Sequence, residues 1–483
     1  MEKLKRASGV LMHITSMPNE FTLGTFSDDC FKFVDWLKEG GFSIWQVLPI
    51  TDTGIKVSPY SATSTFAISP YLVDLSKFLT TDEMRSFGFD KNNNIHLEQE
   101  KILLALDLVY DKHRKDYDIS KFENTHKAWL EDYALYRSIQ KVHDGKIWCE
   151  WPEGLKTRQK SAIDKFKVEH AKEIDIVKFT QFIAYEQWNK IKKYANDNGI
   201  KIFGDIPFYI ELNSSDVWSN VKSWKIDKDG RGDVAGVPPD YFNKDGQWWG
   251  NPIYNYEEME KNGFRFFINR FKHQSQLFDI IRIDHFLAFT RYWSIPYGKL
   301  AKQGKWQKGV GEKALDAITS KVKIPIVVED LGTLNEEVHR LRHKYDMPGL
   351  KVLQFAFDSE GDNEYQPHNW EKDCVAYIGT HDNDTFMGLL EKMDWEILNR
   401  FKRYVRIPLE WGNDAVIDNS IISMYRSSAN TIILTMQDIL KLGSSARMNI
   451  PGTPEDNWLW QLDSLPSTDL CAWYKELANL YAR

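Results

Sequence analysis

Apolar and polar positions in this chain alternate between short apolar runs and longer stretches with helical spacing. The runs are Ser8 to His13, Ser43 to Leu48, Ile200 to Asp205, Ile280 to Ile283, Pro325 to Val328, one ending at Phe357-Asp358, one opening at Val375, and Thr431 to Met436. Short apolar runs bounded by turn residues read as buried strands. Behind Asp28, which can cap a helix, Phe31, Val34 and Leu37 keep three-residue spacing until Gly40-Gly41 ends the pattern. Strand, helix, strand is a βαβ unit, which favours a parallel sheet and a right-handed crossover. More helices are expected at Tyr256 to Phe271, Glu312 to Ile318, Leu334 to Tyr345, Glu396 to Tyr404 and Asp414 to Tyr425. Eight strands are what a closed (β/α)8 barrel needs. The expected fold is therefore α/β, a TIM barrel carried by residues 1–483 as one domain.

Two segments interrupt the alternation. Residues 76–198 are charged and helical, far longer than an ordinary βα connection. Trp129, Tyr133 and Tyr136, and again Phe179, Phe182 and Ile183, keep spacings that read as packing stripes. A helical subdomain inserted into the barrel is expected there, ending at Gly199 as a C-cap. Residues 214–255 are rich in Gly, Pro, Asp and Trp, and a loop of this length in a compact domain is often a lid over a site. Gly54 to Leu75 is a second long loop, holding Ser58-Pro59-Tyr60.

Composition narrows the function. Net charge is −7, from 62 Lys and Arg against 69 Asp and Glu, without long blocks of one sign. That leaves no electrostatic footprint for nucleic acid or an anionic membrane. The first residues are charged with no apolar core behind them, so no signal peptide is expected. No apolar run approaches the ~20 residues a spanning helix requires. Four cysteines without CxxC spacing read as scattered reduced thiols, and a cytoplasmic protein is expected.

Chemistry is concentrated at strand ends. Arg282 inside an apolar strand is costly unless paired, and Asp284, two residues on, points to the same face. The pair reads either as a structural ion pair or as a carboxylate kept ionised by a cation in a pocket. Glu329 and Asp382 close two further runs. Active sites of parallel barrels gather at the carboxyl ends of the strands, so three acidic ends suggest three carboxylates around one opening.

At these residues the chain resembles a known family. Arg282-Ile283-Asp284-His285, Glu329-Asp330-Leu331-Gly332 and Thr380-His381-Asp382-Asn383 are similar to catalytic segments of the α-amylase clan. Asp216-Val217-Trp218, the stretch 235–242, the stretch 246–252 and the stretch 446–453 resemble 4-α-glucanotransferases of the amylomaltase type. The resemblance implies transfer of α-1,4-glucan segments between maltooligosaccharides, with glucose as an acceptor, by a monomer or homodimer and without metal or cofactor. It implies Asp284 as nucleophile, Glu329 as acid/base with its pKa raised by neighbouring negative charge, and Asp382 as transition-state stabiliser. The substrate-binding residues it implies are Ser58, Tyr60, Asp205, Tyr241, Phe242, Trp249, Asn251, Arg282, His285, Asp358, His381 and Asn449. Ser61, Ser69 and Gln461 depart from the usual Gln, Asn and Arg of the family, which puts local sugar contacts in doubt at the first two.

Three rivals are weighed against this. A metal-dependent hydrolase could use His13, Asp284, His285, His381 and Asp382, but these lack ligand spacing such as HExxH. A catalytically dead glucan-binding protein is at odds with three intact carboxylates. A plain α-glucan hydrolase differs only in what attacks the intermediate.

Overall fold

The structure, a computed structural model, describes residues 2–90, 95–239, 244–332, 335–357, 361–453 and 456–483. Eight parallel strands form its centre: β1 Ala7–Leu11, β2 Ile44–Gln46, β3 Lys201–Ile206, β4 Ile280–Ile283, β5 Ile326–Val328, β6 Gly349–Val352, β7 Cys374–Tyr377 and β8 Thr431–Thr435. Their order around the sheet is β6-β7-β8-β1-β2-β3-β4-β5. At the remaining seam the Val328 amide donates to the Pro348 carbonyl at 2.9 Å, and the Leu350 amide donates to Asp330 Oδ1 at 2.7 Å. A side chain thus stands in where the β5–β6 ladder is missing, and the sheet is nearly closed as the expected barrel.

Period-two alternation sorts the strand residues. Leu11, Ile44, Phe203, Ile280, Val327, Leu350, Val375 and Ile433 form one buried cluster inside the barrel. Ile202, Ile281, Ile283, Ile326 and Val328 belong to the larger core between sheet and helices. On β3, Gly204 allows the Phe278 ring to lie against the strand, where a Cβ would come within 2.2 Å of it.

The first helix is Asp28–Glu39, but its cap is Ser27, whose hydroxyl accepts from the Asp29 amide. Asp28 lies inside the first turn instead, where its charge suits the helix dipole. The stretch expected as one helix from Tyr256 is two, Tyr256–Lys261 and Arg265–Leu277, broken at Gly263 and Phe264, both with positive φ. The run expected to end at Phe357-Asp358 stops at Val352 and becomes a 3-10 turn over Leu353–Phe355.

Between β2 and β3 the described residues of 76–198 form helices, the longest being Ile95–His113, Ser120–Val142 and Ala171–Asp197. Trp129, Tyr133, Tyr136, Phe179 and Ile183 are buried in their packing faces, as the spacing predicts. Asp52 fastens this layer to the barrel, accepting from the Tyr133 hydroxyl at 2.7 Å and pairing with Arg137 at 3.4 Å.

The segment expected as a loop at 214–255 carries real structure. Val234–Val237 and Gln247–Pro252 join Arg291–Ile295 and Lys305–Lys308 in a four-stranded antiparallel sheet, which draws on residues after β4 as well. Among the described residues no helix is long and apolar enough to cross a membrane.

Candidate active site

The barrel register aligns the acidic strand ends. Asp205 on β3 is the ladder partner of Arg282 on β4, and Ile283 on β4 is the partner of Val328 on β5. Hydrogen bonding continues one residue beyond each strand: the Asp284 amide donates to Ile206 O at 3.0 Å, and the Glu329 amide to Ile283 O at 2.9 Å. Asp284 and Glu329 therefore leave neighbouring strands at one level, and neighbouring strands run about 4.8 Å apart.

Arg282 is buried and reads both carboxylates beside it. Its guanidinium donates to Asp205 Oδ2 at 2.6 Å and to Asp284 Oδ1 at 2.9 Å. Burial penalises a guanidinium, but the two carboxylates outweigh that and push its pKa up. Asp205 is shut away from solvent, so it does not line the opening as a sugar-binding residue would. It acts from behind: its Oδ2 also accepts from the Tyr60 hydroxyl at 2.8 Å, and the Tyr60 hydroxyl oxygen lies 2.9 Å from His381 Nε2. Burial raises the Asp205 pKa against the opposing pull of Arg282.

Glu329 is bound differently. Its Oε2 accepts from the His285 amide at 2.9 Å and its Oε1 from the Leu331 amide at 2.7 Å. Its pKa is pushed up to about 7, chiefly by withdrawal from water; Asp284 adds to the rise and Arg282 opposes it. Neighbouring negative charge, the expected cause, is the lesser one. His285 adopts a left-handed backbone, φ 50°, as it turns its amide toward Glu329. Burial lowers its pKa to about 4, so the ring is neutral at pH 7 and can only share a proton by hydrogen bonding. The edge of its ring meets the Trp249 indole, centroids 4.9 Å apart.

Asp382 sits in a turn after β7. Asn383 Oδ1 accepts from the Thr380 amide at 2.9 Å, closing the turn. The segment after β8 then clamps the carboxylate: Asn449 Nδ2 donates to Asp382 Oδ1 at 2.6 Å, and Arg447 donates to the Asp382 carbonyl at 2.7 Å. Asn449 thus already has a carboxylate partner. His381 Nε2 lies 3.4 Å from the other Asp382 oxygen.

Ser58, Tyr60, Trp249, Asp284, His381, Asp382 and Asn449 line one cavity of about 450 Å3. That lies within the ~300–1,000 Å3 of small-molecule sites. Asn251 is half-buried on the strand Gln247–Pro252 and is not among the lining residues. Tyr241, Phe242 and Asp358 lie outside the described residues. The cavity also has a wall that motif reading left without a role. Trp458, held at φ 69°, packs against Tyr60 and His381 with ring centroids 5.6 and 5.7 Å apart. Spacing along the chain does not fix which way this indole faces. Among the described residues no group of three His, Cys, Asp or Glu is arranged to hold a metal ion.

Known proteins are similar to this chain over nearly its whole length. A sequence profile described as 4-alpha-glucanotransferase matches residues 12–466. A 4-alpha-glucanotransferase of Clostridium butyricum is 38% identical over 98% of this chain and 100% of its own length. That of Aquifex aeolicus is 39% identical over 99% of both. An amylomaltase from Streptococcus agalactiae, solved in complex with acarbose, superposes with a TM-score of 0.91 at 33% identity, covering 99% of this chain and 100% of that one. This chain belongs to the 4-alpha-glucanotransferase family.

Proposed function

We propose that the chain is a retaining 4-α-glucanotransferase that moves a segment of α-1,4-glucan from a donor maltooligosaccharide to the 4-hydroxyl of an acceptor glucan or glucose. One observation carries the reading. Asp284 and Glu329 end neighbouring strands at one level, the first paired with a guanidinium, the second with its pKa near 7. Retaining enzymes hold such a pair about 5–5.5 Å apart, which suits adjacent strand ends.

In the first half-reaction Asp284 Oδ attacks the anomeric carbon. The bond to the glycosidic oxygen breaks, and that oxygen leaves as a hydroxyl carrying the proton from Glu329. In the second, the acceptor 4-hydroxyl gives its proton to Glu329 and attacks the same carbon, releasing Asp284. Two inversions restore the α-linkage. Asp382, clamped by Asn449 and Arg447, holds hydroxyls of the reacting sugar, with His381 and neutral His285 as hydrogen-bonding partners. Trp458 and Tyr60 offer ring surface to the sugar. Residues 76–198 serve as an inserted helical unit, and 214–255 as a lid over the site. One chain supplies every residue named, so a monomer suffices.

Water and sugar compete for the same intermediate. An oriented acceptor can win, since effective molarities reach at least ~10⁵ M. Pure maltotriose should give glucose plus a ladder of longer maltooligosaccharides, with little gain in reducing ends. A steady rise in reducing ends from the first minutes, without longer chains, would make the protein a hydrolase.

A further inference from the structure

Asp52 sits where the loop that carries Ser58 and Tyr60 leaves the barrel and where it returns. At the start of the loop its Oδ1 accepts from the Gly54 amide at 3.0 Å. At the end its main-chain carbonyl accepts from the Thr63 amide at 2.7 Å and from the Thr63 hydroxyl at 3.0 Å. Residues 53–62 are thus closed at the neck by one residue. Inside the loop the Ser61 amide donates to the Ser58 carbonyl at 3.1 Å, and the Tyr60 amide to Ser58 Oγ at 3.3 Å. That turn sets Ser58 and Tyr60 together on the catalytic cavity.

Asp52 is fully buried, and its other carboxylate oxygen is held from the inserted helical unit. Tyr133 and Arg137 lie four residues apart on the helix Ser120–Val142, so they share a face. The Tyr133 hydroxyl donates to Asp52 Oδ2 at 2.7 Å, and Arg137 Nε lies 3.4 Å from the same oxygen. A carboxylate withdrawn from water depends on such donors, and losing one is costly. A second tie of the loop, Lys56 to Glu211 at 2.8 Å, uses an exposed lysine and contributes little. The hold on the loop is therefore concentrated at Asp52.

We propose that Tyr133 and Arg137 are positioning residues: through Asp52 they set the loop 53–62, and with it the Tyr60 hydroxyl between Asp205 and His381. The inserted helices are then part of the support of the active site, although these two side chains act only through Asp52. Tyr60 has little latitude, with its hydroxyl 2.8 Å from Asp205 Oδ2 and 2.9 Å from His381 Nε2. A shift of about 1 Å would break at least one of these contacts, and misplacements of that size cost up to ~100-fold in rate. The bearing of the loop on turnover rests on the proposed activity.

The test is a double-mutant cycle on maltotriose consumption. Tyr133→Phe, which removes the hydroxyl and keeps the ring, is made in the parent and in Tyr60→Ala. In the parent it should lower kcat on the order of tenfold, with KM changed less than about twofold. In Tyr60→Ala it should cost less than about twofold, because the side chain it positions is gone. Arg137→Gln should show the same coupling at a greater cost in melting temperature. Equal losses in the two backgrounds, as a merely structural role would give, or no loss in the parent, overturn the proposal. Hydrogen exchange needs no turnover: the Gly54 and Thr63 amides should exchange on the order of tenfold faster in Tyr133→Phe, with the strand Ile280–Ile283 unchanged. Parental exchange in the loop also overturns it. Failure of the parent to make longer chains from maltotriose would overturn the proposed activity instead, and the exchange comparison would still decide the loop.

Discussion

Arg282 touches Asp284 and Asp205 through one guanidinium, 2.9 Å from the first and 2.6 Å from the second. The same cation thus orients the proposed nucleophile and compensates a carboxylate that no water reaches. The two duties separate experimentally. Arg282→Ala should destabilise the fold by about 3–5 kcal/mol, because Asp205 is left buried and uncompensated. Arg282→Lys should keep much of that stability yet lose roughly 100-fold or more in kcat, since an ammonium cannot replace the two-pronged contact. Thermal melts and maltotriose kinetics on both variants check this. Parental kcat in Arg282→Lys would show that the contact to Asp284 is not used.

Glu329 sets a pH limb. Its pKa of about 7 means that the proton needed by the leaving oxygen is lost as pH rises through neutrality. Turnover of natural maltooligosaccharides should fall above pH 7. Glu329→Gln should flatten that limb and spare cleavage of an activated aryl glycoside far better than transfer between natural sugars. Equal losses on both substrates would assign Glu329 a structural role.

The same group links stability to pH. Its pKa is higher folded than the usual 4.5 of an unfolded Glu. Between those values the folded state binds the extra proton, so this contribution to stability declines as pH rises from about 4.5 to about 7. Glu329→Gln removes the penalty of ionising a buried acid. Its melting temperature relative to the parent should therefore climb across that window and level off above it. A constant difference from pH 5 to 8 would contradict the shifted acid.

Asn449 donates to Asp382 Oδ1 at 2.6 Å, so its work is done through that carboxylate. Asn449→Ala should lower kcat about tenfold to a hundredfold, the cost of one hydrogen bond to a charged group, with a smaller change in KM. Asn449→Asp, which sets two carboxylates side by side, should be worse. A pure KM effect in Asn449→Ala would make it a direct sugar contact.

Much of this architecture can be read along the chain, because the barrel is built from local signals. Ile280 to Ile283 is β-branched but for Arg282 and leads to a carboxylate, as does β5; β8 is a β-branched run, and β1 is a short apolar one. Pairing across the chain cannot be read that way. Tyr60 meets Asp205 from 145 residues away and His381 from 321 away, and no spacing rule reaches so far. The small antiparallel sheet was hidden for another reason. Gln247 to Pro252 holds Gly and Pro and exposes Trp248, so it has turn composition without apolar alternation. Glu329 shows a third limit: its position is a motif, but its pKa depends on a burial that only the folded surroundings determine.

Trp248, 61% exposed, and Trp249, half-buried, reach the cavity from that sheet. Replacing both by Ala should remove apolar cover near the intermediate and admit water. The ratio of new reducing ends to longer chains should rise severalfold while total donor consumption falls less. An unchanged ratio would separate transfer selectivity from these two indoles.

The covalent intermediate on Asp284 is the centre of the account, and it can be weighed directly. Incubating Glu329→Gln with an activated 4-blocked maltosyl fluoride, which supplies its own leaving group and cannot serve as a 4-hydroxyl acceptor, should let the glycosyl enzyme accumulate. Peptic digestion and mass spectrometry should find one maltosyl unit on the peptide containing Asp284, absent from Asp284→Asn and discharged by azide, an anionic nucleophile that needs no base. A label on another carboxylate, or an unlabelled enzyme that still turns the fluoride over, would contradict double displacement through Asp284.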